Sequence, residues 1–354
     1  MHATLAASPA PSPAPSRAAW STGRSAAVVA AFVAAMTTVP ADADPAPARP
    51  AAAAADPAAV PLVVSPAWLA GHLRDPKLVL LHVGDADAYP ARHLPGARLV
   101  ALSDISVSAD GHDGLHLELP PADDLRHRLE ALGISTDSRV VVYFGDDWVS
   151  PATRVVLTLD AAGLGAHAGL LDGGLPAWVR AGHPVTDAAV PARTGVLAPL
   201  AMRPIIVDAT TVVASLGKPG VAVVDARNRE FYDGTKAGGM PQHPHRAGHI
   251  AGARSVPFDS VFDDHNVLRS PEDLAARFAR AGVKPGDTVI GYCHIGQQAT
   301  AMLFAARRLG HPVRLYDGSF EDWSAHPAYP VEKAPEKPAD KPGDKPAAAP
   351  EARP

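Results

Sequence analysis

Short apolar runs alternate with amphipathic stretches between residues 62 and 331, and the alternation is played out twice. Leu78-Val79-Leu80-Leu81-His82 and Val221-Ala222-Val223-Val224-Asp225 predict strands, as do Arg139 to Phe144 and Thr288 to Tyr292. These runs are rich in β-branched residues and bounded by turn residues, the pattern of strands buried on both faces. Leu125, Leu129 and Leu132, and likewise Leu274, Phe278 and Ala281, fall at i, i+4, i+7 and predict helices with one apolar face. Shorter helices are expected after two N-cap residues: Pro66-Ala67-Trp68-Leu69 after Ser65, and Thr210-Thr211-Val212-Val213 after Asp208. A further helix follows each of the 139–144 and 288–292 strands at once.

Landmarks recur in one order. Tyr89 lies seven residues after His82, and Tyr232 seven after Asp225. His93-Leu94-Pro95-Gly96-Ala97-Arg98 is answered by His249-Ile250-Ala251-Gly252-Ala253-Arg254, and the Asp172-Gly173…Trp178 element by Asp317-Gly318…Trp323. An ordered set of this kind marks an internal repeat. Strands alternating with helices predict an α/β fold: two tandem α/β/α units, each around a mainly parallel central sheet. The units are expected at 62–184 and 205–331, joined by a Pro/Ala-rich linker at 185–204.

Composition changes this picture mainly at the ends. The 354 residues are 47% hydrophobic but only 5% aromatic, because alanine crowds the termini. Arg17 and Arg24, the apolar run Ser25 to Met36 and the small-x-small Ala41-Asp42-Ala43 read as a signal peptide over 1–43, cleaved before Asp44. That predicts a periplasmic or secreted protein. The apolar run is short for a bilayer crossing, so no membrane span is expected after cleavage. Residues 44–61 and 332–354 lack apolar periodicity and are expected to be a disordered linker and tail.

A net charge of −5 with no basic stripe argues against nucleic-acid partners. The sixteen histidines are scattered. His243, His245 and His249 share a proline-stiffened segment without cysteine or carboxylate, so neither a metal nor a cofactor is expected. One cysteine, Cys293, excludes an intramolecular disulfide and a Cys-rich zinc site.

Cys293 stands where such a sheet binds ligands, after the strand 288–292 and before a helix carrying Ala299, Met302, Leu303 and Ala306. The loop Cys293-His294-Ile295-Gly296-Gln297-Gln298 is short, and Gly296 frees its backbone for a tight turn. Backbone N–H groups converging at a helix N-terminus form a nest for an anion and favour the thiolate. A thiolate there attacks sulfane sulfur and holds the resulting persulfide in the same nest.

In these residues the chain resembles the rhodanese family, specifically its tandem-domain thiosulfate sulfurtransferases, over about residues 62–331. The resemblance rests on Asp225-Ala226-Arg227, His249-Ile250-Ala251-Gly252-Ala253, Cys293-His294-Ile295-Gly296-Gln297-Gln298-Ala299-Thr300, and Asp317-Gly318 with Trp323. It implies two rhodanese-like domains, the first inactive and the second catalytic, with the site in the cleft between them. Counted back from Thr153, the partner of Thr300, Asp146 stands where the second copy has Cys293, and a carboxylate cannot accept sulfur.

Cys293 is then the catalytic residue. His294, Ile295, Gly296, Gln297, Gln298 and Thr300 are the expected substrate contacts, with Thr300 equally suited to capping the helix. Asp225 and Arg227 are expected to brace the wall of the site, and His249 to fix a turn. The best-studied thiosulfate enzymes of the family carry an arginine where this chain has Phe231, and often a cation in the cysteine loop. Here Arg229, Arg246 or Arg254 would have to substitute, and Arg229 is the expected contact. Donor and acceptor are expected to be small molecules, thiosulfate and a thiophile such as cyanide, with a protein thiol as a possible acceptor. The alternatives are 3-mercaptopyruvate as donor, although its enzymes carry a different Cys-Gly-Ser-Gly loop, and a persulfide carrier or redox partner without turnover. A phosphatase of the same fold needs an arginine where this loop has Ala299.

Overall fold

The computed structural model describes residues 59–109, 114–146, 148–240 and 243–334. The expected signal segment, most of the 44–61 linker and all but the first three residues of the 332–354 tail lie outside the described residues. Val60 is buried and donates to the Ala166 carbonyl, and Glu332 pairs with His249 in an antiparallel ladder, so the folded part begins earlier and ends later than expected.

The first repeat holds strands β1 (Val63–Val64), β2 (Leu78–Val83), β3 (Arg98–Val100), β4 (Arg139–Phe144) and β5 (Ala168–Leu171). Its helices are α1 (Pro66–His72), α2 (Ala122–Ala131), α3 (Val149–Ala161) and α4 (Gly174–Arg180). The second repeat contains β6 (Ile206–Val207), β7 (Val221–Asp225), β8 (Gly239–Met240), β9 (His243–Pro244), β10 (His249–Ile250), β11 (Arg254–Ser255), β12 (Thr288–Tyr292), β13 (Val313–Tyr316) and β14 (Val331–Glu332). Its helices are α5 (Ala209–Ser215), α6 (Arg229–Asp233), α7 (Pro271–Arg280), α8 (Gln298–Arg308) and α9 (Ser319–Ala325).

Each repeat builds a five-stranded sheet in which every pairing is parallel. The orders are β1-β5-β4-β2-β3 and, read from the corresponding edge, β6-β13-β12-β7-β11. β4 and β12 are central and almost wholly buried, which is why they read as unbroken apolar runs. Caps sit where the sequence places them: Ser65 Oγ accepts from Trp68 N–H at 3.1 Å, and Asp208 Oδ1 from Thr211 N–H at 2.8 Å.

The repeated landmarks make matching hydrogen bonds. Tyr89 and Tyr232 donate to the carbonyls of Ala97 and Ala253. Leu94 and Ile250 donate their N–H groups to the hydroxyls of Tyr143 and Tyr292, both at 3.0 Å. Trp178 and Trp323 donate from their indoles to Pro184 and Pro330. These tyrosines and tryptophans are therefore fastenings that tie one loop to its own sheet, and a repeated fold needs them twice.

α3 and α8 pack on each other and are buried along most of their length, so one apolar cluster runs through both repeats. Each fully buried Val, Leu or Phe there contributes about 1.5–3 kcal/mol. The repeats also lend each other backbone donors. Leu119 N–H donates to Asp317 Oδ2, and Leu268 N–H to Asp172 Oδ1, both at 2.8 Å. Residues of the 185–204 segment hydrogen-bond along the first repeat, with Gly195 and Leu197 both held by Glu130.

Candidate active site

β12 ends at Tyr292, level with Asp225 of β7, and Cys293 is the next residue. Its side chain is fully buried and unpaired as a thiol. Two bonds stitch the turn to the start of α9. Cys293 N–H donates to Ser319 Oγ at 3.1 Å, and the Cys293 carbonyl accepts from Phe320 N–H at 3.0 Å. Ser319 adopts φ +52°, a region costly for any residue with a Cβ, while its counterpart Gly174 has φ +55°. The Ser319 hydroxyl also donates to the Tyr316 carbonyl at 2.9 Å. The second repeat thus accepts backbone strain where the first uses glycine, and gains an acceptor for the cysteine's N–H.

Beyond Cys293 the chain turns through Gly296, at φ +78°, into α8. A Cβ on Gly296 would lie 2.7 Å from the Asp317 carbonyl oxygen, so glycine is required for both angle and space. The N–H groups of His294, Ile295, Gly296, Gln297 and Gln298 have no acceptor among the described residues. Unsatisfied donors on a tight turn at a helix N-terminus are what an anion binds.

The loop is held from the first repeat. Arg154, fully buried, forms an ion pair with Asp317 and donates to the Gly296 carbonyl at 3.2 Å and to the Leu117 carbonyl. Gln297 Nε2 donates to Ser150 Oγ at 3.1 Å, and Thr300 Oγ1 lies 2.8 Å from Thr153 Oγ1 and 2.7 Å from the Gln297 carbonyl. The hydroxyl of Thr300 and the amide of Gln297 therefore serve the seam between repeats, and no bond joins Thr300 to Cys293.

His294 lies edge-on to Phe231, ring centroids 4.6 Å apart, and 5.7 Å from the ring of His245. Its Nδ1 is buried without a hydrogen-bond partner among the described residues. Gly238 makes room for it, since a Cβ there would stand 2.5 Å from His294 Cε1. Burial, and then the charges of Arg227, His245 and Lys236, push the His294 imidazole down to about 3, so it is neutral at ordinary pH. Arg227 is itself desolvated, but Asp225, at 2.6 Å, more than offsets this and holds it above its usual value. Its guanidinium also lies 3.9 Å over the Phe320 ring and donates to the Gly248 carbonyl. Asp225 and Arg227 thus brace the wall beneath the loop, and His249, hydrogen-bonded to the Tyr232 carbonyl at 2.7 Å, fixes a turn.

Two expectations are corrected. Arg229 is not brought to the loop: it is exposed, pairs with Asp233 at 3.1 Å and lines a separate cavity. α6 presents Phe231 to the loop instead. Asp146 matches Cys293 only when counted from the helix. Thr153 and Thr300 donate to the Ser150 and Gln297 carbonyls alike, and Tyr143 and Tyr292 match in the strands. Seven residues run from Tyr143 to Ser150 but five from Tyr292 to Gln297, so the first repeat's loop is longer by two. Strand register gives the cysteine's place to Phe144, which is buried in the core, while the Asp146 carboxylate faces outward against Arg92 at 2.7 Å.

The model of the rhodanese-like domain matches this chain twice, over residues 65–181 and 208–326. The chain belongs to the rhodanese family. This rhodanese is 34% identical over 275 residues to a thiosulfate sulfurtransferase of Pseudomonas aeruginosa, covering 77% of this chain and 97% of that one. It is 35% identical over 276 residues to a probable 3-mercaptopyruvate sulfurtransferase of the same organism, covering 74% and 95%. In fold it is similar to the wild-type structure of EanB, with a TM-score of 0.68 at 23% identity over 77% of this chain and 69% of that one. The rhodanese is a sulfurtransferase with small-molecule sulfur donor and acceptor substrates. Among the described residues no helix is long and apolar enough to cross a membrane.

Ser319, Arg154 and Ser150 belong to the site without being marked by any sequence motif, and Phe231, at the position where the best-studied thiosulfate enzymes of the family carry arginine, packs on His294. Of the first three, only Ser319 leaves a local sign, as Gly-Ser where the first repeat has Gly-Gly.

Proposed function

We propose that this rhodanese moves sulfane sulfur from thiosulfate to a thiophilic acceptor such as cyanide through a persulfide on Cys293. The observation that carries the reading is the set of unpaired N–H groups on the loop that follows Cys293. The Cys293 thiolate attacks the outer sulfur of thiosulfate. The sulfur–sulfur bond breaks, its electron pair leaves with sulfite, and Cys293–S–S⁻ remains. Cyanide then attacks the terminal sulfur, thiocyanate departs and the thiolate returns. Neither step moves a proton once the thiolate is formed, which accords with a neutral His294 acting by contact rather than as an acid. Backbone donors suit the anion at each stage because their dipoles are already oriented. Beyond burial, Arg227 and Lys236 lower the His294 pKa, but each is ion-paired, with Asp225 and Glu230, so the backbone donors of the loop carry the anion in place of a loop cation.

3-Mercaptopyruvate is the second reading for the donor, supported by the similarity to its probable transferase from Pseudomonas aeruginosa. Residues 1–43 support export, so we further propose a periplasmic or secreted enzyme. Steady-state thiocyanate formation separates the donors. Thiosulfate should give the higher kcat/KM, and Cys293→Ser should be inactive with both. A clear preference for mercaptopyruvate would transfer the assignment to that donor.

A further inference from the structure

A cavity of about 520 Å³ opens on the second repeat, lined by Arg229, Arg254, Arg277 and Arg280 together with Tyr232 and Ser255. No residue of the cysteine loop lines it, and neither does any aspartate or glutamate. Arg229 and Arg277 pair with Asp233 and Asp273, at 3.1 and 3.4 Å. Arg254 and Arg280 have no carboxylate partner among the described residues, and Arg254 donates only to the Ala281 carbonyl. On two residues that line the cavity, the donors Ser255 Oγ and Arg277 Nε are buried beneath its surface without a hydrogen-bond partner among the described residues.

The first repeat shows the same place built differently. Its equivalents of Arg229, Ser255 and Arg280 are Ala86, Leu99 and Ala131, by the register of the repeated elements. Arg98, the equivalent of Arg254, is taken up by the Pro191 and Arg193 carbonyls of the crossing segment. Arg128, the equivalent of Arg277, is taken up by Asp124 and the Ser103 carbonyl. In the first repeat two arginines are satisfied by the protein. In the second there are four beside the cavity, and two of them, Arg254 and Arg280, have no carboxylate partner among the described residues.

We propose that this cavity is a second anion site, distinct from the cysteine loop, that binds the phosphate or sulfate groups of a small polyvalent ligand. Guanidinium forks match the geometry of tetrahedral oxyanions, and charges of one sign gathered in a concavity reinforce each other's field. The volume lies in the range of small-molecule sites, roughly 300–1,000 Å³. Two arginines without a carboxylate partner, Arg254 and Arg280, beside two that are paired, favour a ligand bearing more than one anionic group over a single sulfate.

Titration calorimetry of the full chain with inorganic pyrophosphate, phosphate and sulfate tests this. Pyrophosphate should bind more tightly than the other two. Arg280→Gln and the double variant Arg254→Gln/Arg280→Gln should weaken it progressively, the double by about tenfold or more. Arg280 is exposed and makes no described bond, so Arg280→Gln serves as the variant whose folding is not in question. Its thiocyanate formation should match the wild type, separating this cavity from the cysteine loop. Pyrophosphate binding unaltered in both variants, or no binding to the wild type, would overturn the proposal.

Discussion

Arg154 of the first repeat and Asp317 of the second form an ion pair with side chains 0% and 5% exposed. The same arginine holds the Gly296 carbonyl, and the same aspartate accepts from Leu119 N–H. One pair thus joins the two repeats and fixes the turn after Cys293. The residue equivalent to Arg154 in the second repeat is Ala301, so this ion pair has no counterpart in the opposite direction.

Arg154→Met should leave Asp317 buried without its cation and destabilise the protein by about 3–5 kcal/mol. Arg154→Met/Asp317→Leu should recover part of that stability but not turnover, because Gly296 still lacks its donor. Urea denaturation and thiocyanate formation on both variants check this. Equal stability of single and double variants would remove the ion pair from the account.

Ser319→Ala should cost about 1–3 kcal/mol, since it strands the buried Cys293 N–H and keeps a Cβ at positive φ. Ser319→Gly should cost less, because glycine relieves the backbone. Denaturation midpoints that place alanine level with glycine would contradict the strain argument.

His294 gives the fold a pH dependence of known sign. Its imidazole titrates near 6.5 when unperturbed and at about 3 in the fold. Between those values the unfolded chain binds more protons, so this contribution falls as pH drops from 6.5 toward 3 and is constant above 6.5. His294→Asn should therefore lose less stability than the wild type between neutral pH and about pH 4.5. Identical losses would mean that the ring is not held neutral.

Asp146→Ala should leave turnover unchanged and alter stability by less than about 1 kcal/mol, as expected for an exposed pair with Arg92. A large loss of turnover in the folded variant would give the first repeat's loop a part in the chemistry.

Much of the fold was legible because its signals are local. The buried strands, the caps at Ser65 and Asp208, and the Tyr89/Tyr232 and Trp178/Trp323 pairs each act within their own repeat. Cys293 could be located because the strand before it and the helix after it both leave a pattern. Arg154–Asp317 could not, since a pair separated by 163 residues has no periodicity to betray it. The two extra residues after Tyr143 escape sequence counting for a related reason. Counting from the helix finds an insertion's far side, and only strand register shows that Phe144 follows the matched tyrosine. Charge and nearness in sequence to Phe231 point to Arg229. On a helix, however, residues two apart do not share a face, and Phe231 took the side toward His294.

The central claim is that Cys293 carries sulfur. Intact-protein mass spectrometry after incubation with thiosulfate tests it most directly, with cyanide added in a second step and Cys293→Ser as control. The account predicts a gain of one sulfur atom on the wild type alone, lost again as thiocyanate. A wild-type mass unchanged by both thiosulfate and 3-mercaptopyruvate, or the same gain on Cys293→Ser, would contradict it.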